Sequence, residues 1–189
     1  MAASSLSLPL GTPAPAFELR DPHGALTSLD GVADDARAVV VAFICNHCPY
    51  VKHIRATFAA RAREWQARGV AVVGINTNDA DAYPDDSPDA MAREIAEQGY
   101  TFPYLIDETQ DVAKAYGAAC TPDLFLFDGD RRLVYHGQFD ASRPGGSAPV
   151  TGDDLAAAVD AVLAGGAVPA DQRPSVGCSI KWRPGNEPR

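Results

Sequence analysis

The segment Cys45-Asn46-His47-Cys48 carries two thiols with two residues between them, close enough along the chain for one to reach the other and close a disulfide. The thiolate is the reactive form of cysteine, so such a pair needs surroundings that favour the charge. Three kinds of chemistry are open to it. The pair can exchange with a substrate disulfide. Cys45 can be oxidised by peroxide to a sulfenic acid that another cysteine then condenses with. The two sulfurs can also form part of a metal-binding module. A structural zinc site needs four ligands, however, and no second C-x-x-C or closely spaced histidine pair follows. His23, His53 and His136 lack ligand spacing and read as surface residues, so no metal or cofactor is expected. His47 lies between the two cysteines. Its imidazole can donate to a Cys45 thiolate or repel protons from it, lowering the thiol pKa and making the disulfide more oxidising.

The elements that must hold this motif are legible on either side of it. Ala38–Ile44 is a continuous, largely β-branched run, as expected of a strand buried on both faces. From Cys48 to Arg68 the apolar residues Val51, Ile54, Phe58, Ala62 and Trp65 recur at helical spacing, and Gly69 stops the helix. Val70–Ile75 is a second buried strand, so the three form a βαβ unit with parallel pairing and a right-handed crossover. A helix N-terminus offers unpaired N–H groups and a positive dipole end. This predicts Cys45 at the mouth of the helix as nucleophile and Cys48, one turn on, as the resolving cysteine.

Further along, Ser87 caps a helix with Pro88 at its first position and Gly99 after its last turn. A short strand (104–106), a short helix (108–116), a hairpin about Asp128-Gly129-Asp130 and a last amphipathic helix from Thr151 complete the pattern. Upstream, Asp21-Pro22-His23-Gly24 marks the turn of a small N-terminal hairpin. The fold class is therefore α/β, a central mixed sheet flanked by helices. One domain is expected over 1–166, and an extended C-terminal tail over 167–189, which holds four prolines and no period. Asp79, Asp81, Asp85, Asp86 and Asp89 crowd one loop. They lack the glycine and terminal glutamate of a calcium loop and read as solvated.

Composition excludes other classes. With 16 basic and 25 acidic residues the net charge is −9, which disfavours nucleic-acid binding. No apolar run is long enough to span a bilayer and no signal peptide is evident, so no membrane partner and a cytoplasmic location are expected. Four cysteines in 189 residues are too sparse for a disulfide scaffold.

The lead-in LGTPAPAFELRDPHG, the junction FICNHCPYV and the segment FPYLIDETQDVAKAYGAACTPDLFLFD together resemble the redoxin (AhpC/TSA) branch of the thioredoxin-like superfamily, over about residues 8–165. With the tail motif GCSIKW, the pattern is most similar to a peroxiredoxin-like subgroup. The histidine of CNHC is similar to that of protein disulfide isomerase. The resemblance implies a thioredoxin-like fold and a Cys45/Cys48 redox centre supported by Asn46 and His47. It also implies a loop at Thr121-Pro122 facing the dithiol, with Pro122 cis. Partners would be protein or small-molecule disulfides and thiols, or peroxide if the chain is a thiol peroxidase. Two departures argue against fast peroxide chemistry. Ala38 and Ala42 stand where peroxiredoxins carry a proline and a hydroxyl residue, so the group that activates peroxide is missing. Cys120, two residues before Pro122, is a candidate resolving cysteine, although neighbouring side chains of an extended segment point oppositely and a packing role is expected. Oxidation is expected to give Cys45–Cys48, leaving Cys120 and Cys178 as isolated thiols.

Overall fold

The computed structural model of the chain describes residues 2–4 and 8–188. In chain order the elements are β1 (Ala2–Ser4), β2 (Glu18–Arg20), β3 (Leu26–Ser28), α1 (Leu29–Val32), β4 (Ala38–Phe43) and α2 (Pro49–Ala67). They continue with β5 (Val70–Asn76), α3 (Pro88–Gln98), β6 (Tyr104–Ile106), α4 (Asp111–Tyr116) and β7 (Cys120–Thr121). The chain ends through β8 (Asp123–Asp128), β9 (Leu133–Gly137), α5 (Asp153–Leu163) and β10 (Val176–Ser179).

Seven strands form the main sheet in the order β3-β2-β6-β5-β4-β8-β9. β4, β5 and β6 run parallel, as the βαβ pattern requires, and the β8–β9 hairpin adds antiparallel strands beside β4. This is the mixed α/β sheet expected from the sequence. All six β4 residues are buried because both faces of the sheet are covered. Their side chains alternate. Ala38, Val40 and Ala42 face a core built with α2 and α5, while Val39, Val41 and Phe43 face a second core with Phe17, Tyr116, Phe125 and Phe127. Gly69 ends α2 at a φ of 84°, a conformation that costs glycine little.

The segment after Gly166 holds more than an extended run. Within it β10 pairs antiparallel with β7, Cys178 opposite Thr121 and Ser179 opposite Cys120, and with β1 on its other edge. Gly177 permits this docking. A β-carbon there would lie 2.0 Å from the Thr121 carbonyl oxygen and 2.5 Å from its carbon. The strand therefore lies against the backbone just before Pro122.

Candidate active site

Helix α2 begins one position later than its apolar period suggests. Pro49 occupies the first helical position, and Cys48, held extended at φ −65° and ψ 124°, is the N-cap. A proline disfavours helical geometry in the residue before it, which fixes the boundary here. The cysteine at the helix mouth is therefore Cys48. Cys45 lies in the short loop leaving β4, not at the helix mouth as expected from the order of the motif.

Both sulfurs converge on Thr121. Cys45 Sγ shares a hydrogen bond with Thr121 Oγ1 at 3.2 Å, and Cys48 Sγ lies 3.1 Å from the Thr121 carbonyl oxygen, to which it donates as a thiol. The Thr121–Pro122 peptide is cis. Both cysteines are almost wholly excluded from solvent. The hydrogen bond with Cys48, then burial and the Asp86 carboxylate, push the Cys45 thiol well up. The same bond draws Cys48 down to about 4, against its burial, with donors on Cys178 assisting. Of the two thiols, the helix-capping Cys48 is the one whose ionisation its surroundings favour.

Asn46 holds the loop. Its backbone N–H donates to Asp86 Oδ1 at 2.8 Å, its amide donates to the Asp85 carbonyl at 2.9 Å, and Tyr104 donates its hydroxyl proton to Asn46 Oδ1 at 3.0 Å. His47 is tied to Asp86 through Nδ1 at 2.6 Å and stacks on Tyr83 with ring centroids 5.2 Å apart. The imidazole bonds to a carboxylate, not to the Cys45 thiolate expected from the sequence. That bond raises the His47 pKa above its ordinary value. Burial alone would raise Asp86, but the bonds from His47, Asn78 and the Asn46 N–H outweigh it and hold Asp86 down.

Asp86 is the site residue that the sequence did not reveal. Only 3% exposed, it is no part of a solvated loop, and Asp79 beside it is also buried. No local pattern separates it from its exposed acidic neighbours; its place between β5 and α3 does. His136 likewise is not a surface residue. It is buried, bonds Asp123 at 2.9 Å and stacks on Phe125. His53 bonds Ser142 at 3.0 Å and, with Tyr50, Pro122 and Arg143, lines a cleft beside the dithiol loop. Cys120 is fully buried, its sulfur directed to the Pro122 carbonyl at 3.5 Å and the Ser175 carbonyl at 3.9 Å. Cys178, by contrast, is not isolated. Half-buried on β10, it lies within hydrogen-bonding reach of Cys48.

The ion pair makes a testable statement. A raised His47 contributes stability that is present below its ordinary pKa of about 6.5 and lost as pH rises through the raised value. A depressed Asp86 contributes stability present above about pH 3.9 and lost as pH falls through its folded value. The pair is whole between those limits. In Asp86→Asn the His47 imidazole, followed by NMR, is expected to titrate at or below its ordinary value, because burial and Lys181 then outweigh the smaller pull of Cys48. An unchanged titration would mean that another group holds the proton.

A mixed sheet carrying two thiols at a strand–helix junction opposite a cis-proline loop defines a thioredoxin-like protein. The chain belongs to the AhpC/TSA family, whose model matches residues 10–136. An oxidoreductase role in general goes with that redoxin membership. The chain is 53% identical to a hypothetical protein of Sinorhizobium meliloti 1021 whose crystal structure superposes with a TM-score of 0.94 over 96% of this chain and 99% of that one. An uncharacterized conserved protein of Geobacillus kaustophilus is 52% identical, with a TM-score of 0.94 over 97% of each chain. Peroxidoxin BcpB of Mycobacterium tuberculosis shares the fold at 21% identity, with a TM-score of 0.61 over 82% of this chain and 96% of that one. Comparison with curated proteins gives no match. Among the described residues no helix is long and apolar enough to cross a membrane.

Proposed function

We propose that the protein catalyses thiol–disulfide exchange through a Cys45/Cys48 couple, acting on protein or small-molecule disulfides and thiols. The observation that carries this reading is the pair of contacts to Thr121, 3.2 and 3.1 Å, which hold both sulfurs against one backbone position. Cys45 and Cys178 both help to draw the Cys48 pKa down. In this reading Cys45, in the loop leaving β4, is the attacking sulfur, and Cys48 is the base that takes its proton. As Cys45 attacks, its proton passes along the existing hydrogen bond to the Cys48 thiolate. One half of the substrate leaves as a thiolate; Cys48 then attacks Cys45 Sγ, the Cys45–Cys48 bond forms as the bond from Cys45 to the substrate breaks, and the second half leaves with the proton that Cys48 gives up.

Peroxide reduction is the weaker reading. Ala42 on β4 is fully buried and offers no hydroxyl where peroxiredoxins carry one. Stopped-flow mixing of reduced protein with a protein disulfide and, in parallel, with hydrogen peroxide separates the two. Fast reaction with the disulfide and the sluggish rate of a free thiolate with peroxide are expected. A peroxide rate orders of magnitude above that of a free thiolate at the same pH would reverse the order. A metal-binding reading has one observation in its favour: donor atoms of Cys45, His47 and Asp86 lie within 4.8 Å of one another. The His47–Asp86 bond already accounts for that cluster, so exchange is expected to survive exhaustive chelation, and loss of activity on chelation would favour the metal.

A further inference from the structure

Three cysteines, not two, meet at the dithiol. Strand β10 runs antiparallel along β7 with Cys178 opposite Thr121, the residue whose hydroxyl and carbonyl hold Cys45 and Cys48. Gly177 lets the strand approach until no side chain fits between the two backbones. Cys178 packs against the cluster that contains both dithiol sulfurs, and its side chain and backbone N–H help to draw the Cys48 pKa down. Unlike Cys45 and Cys48, it is only half-buried.

We propose that Cys178 is a third redox thiol of this centre, the sulfur to which the disulfide moves once Cys45 and Cys48 have been oxidised. The inference rests on Cys45 and Cys48 being the exchange couple. Starting from the Cys45–Cys48 disulfide, the Cys178 thiolate attacks Cys48 Sγ. The Cys48–Cys178 bond forms as the Cys45–Cys48 bond breaks, and the electron pair departs on Cys45. Cys45 takes up the proton that Cys178 gave. One disulfide exists before and after, so no outside oxidant or reductant is consumed.

Two features favour the transfer. A thiol already in contact with its target reacts at a high effective concentration. Burial, then the bond to Cys48 and its charge, raise the Cys178 pKa to about 11 in the reduced protein. The last two influences vanish once Cys48 is half of a disulfide, leaving Cys178 easier to ionise when it is needed. The result ties β10 covalently to the start of α2 and frees Cys45. A small-molecule thiol then meets the half-buried Cys178 more readily than the two enclosed cysteines. Its attack on Cys178 releases Cys48, and a second thiol molecule frees Cys178 and leaves as the small disulfide. Oxidising equivalents would come in at Cys45 and go out at Cys178. Cys120 cannot serve, since its sulfur is turned to the Pro122 and Ser175 carbonyls on the opposite side of the strand.

The test is disulfide mapping on the full chain. Reduced wild type, Cys45→Ser and Cys48→Ser are each treated with one equivalent of diamide, alkylated in denaturant under mildly acidic conditions and digested without reduction. In Cys45→Ser most molecules are expected to carry a Cys48–Cys178 bond, read as a linked peptide pair and as loss of alkylated Cys178. Cys48→Ser is expected to show no linkage to Cys178. Wild type is expected to show the Cys48–Cys178 bond beside Cys45–Cys48. A Cys178 that stays fully alkylated in wild type and in a Cys45→Ser protein with the wild-type circular dichroism would overturn the third thiol, while a wild-type Cys45–Cys48 bond would leave the exchange couple standing. Wild type without a Cys45–Cys48 bond would overturn both.

Discussion

In a Cys45→Ser protein, turnover of a protein disulfide is expected to fall by at least about a thousandfold, because removing a nucleophile removes the whole covalent route. The fold should not suffer. Serine is close in size, and its hydroxyl can keep the contact that Cys45 makes with Thr121 Oγ1 at 3.2 Å. Cys48→Ser should lose turnover as completely but by a different block. Cys45 can still attack, yet Cys48 is no longer there to attack Cys45 Sγ and expel the bound half, so a mixed disulfide with the substrate accumulates. The pKa values make the test sharp, since it is Cys48 that is drawn down, to about 4, by the bond from Cys45. An argument from charge alone would make Cys48 the attacking sulfur. The exchange reading proposed above makes it Cys45, with Cys48 as proton acceptor. Non-reducing gels and intact mass after incubation with substrate decide between them. A mixed disulfide trapped by Cys45→Ser and absent from Cys48→Ser would reverse the assignment.

The parts legible in the sequence are those fixed by local pattern. Ala38–Phe43 and Val70–Asn76 are apolar runs that only a doubly covered sheet accommodates, and the helix between them shows its apolar period plainly. Ser87, Pro88 and Gly99 bound α3 as their types require, with Gly99 in the left-handed region at φ 62°. The start of α2 was readable too, but in Pro49 rather than in the apolar spacing. What stayed hidden depends on contacts distant in sequence. Asp86 resembles its exposed neighbours until its carboxylate meets the Asn46 backbone N–H, 40 residues away in sequence. His136 lies on a strand covered on both faces, so alternation gives no hint of its burial. Strand β10 is four residues among prolines and pairs with a two-residue partner. Such a strand has no stability of its own, and only its fit against Thr121 creates it.

That fit supplies the second large effect. Gly177→Ala is expected to loosen the tail strand and raise the alkylation rate of the dithiol about 5–150-fold, while the main sheet stays folded. The added methyl would stand 2.0 Å from the Thr121 oxygen, 2.5 Å from its carbon and 3.0 Å from Pro122 N. All three are backbone atoms of a segment clamped by β10 on one side and the dithiol on the other. None can move aside as a flexible side chain would, so β10 itself must give way. Overpacking of this kind typically costs about 1–3 kcal/mol. Because β10 lies outside the seven-stranded sheet, most of that cost falls on local opening of the tail. A shift of 1–3 kcal/mol in an opening equilibrium changes the open population by roughly 5–150-fold, and buried thiols react through the open form. A second influence runs the other way. Losing the Cys178 donors raises the Cys48 pKa and leaves less thiolate. Those donors are lesser causes than the Cys45 bond, which remains, so access outweighs the loss of charge. The measurement is the rate of iodoacetamide labelling in wild type and Gly177→Ala, with the melting temperature as control. A rate unchanged in a folded variant would show that β10 does not cover the dithiol, and the cause of its burial would have to be sought in the β4–α2 loop itself.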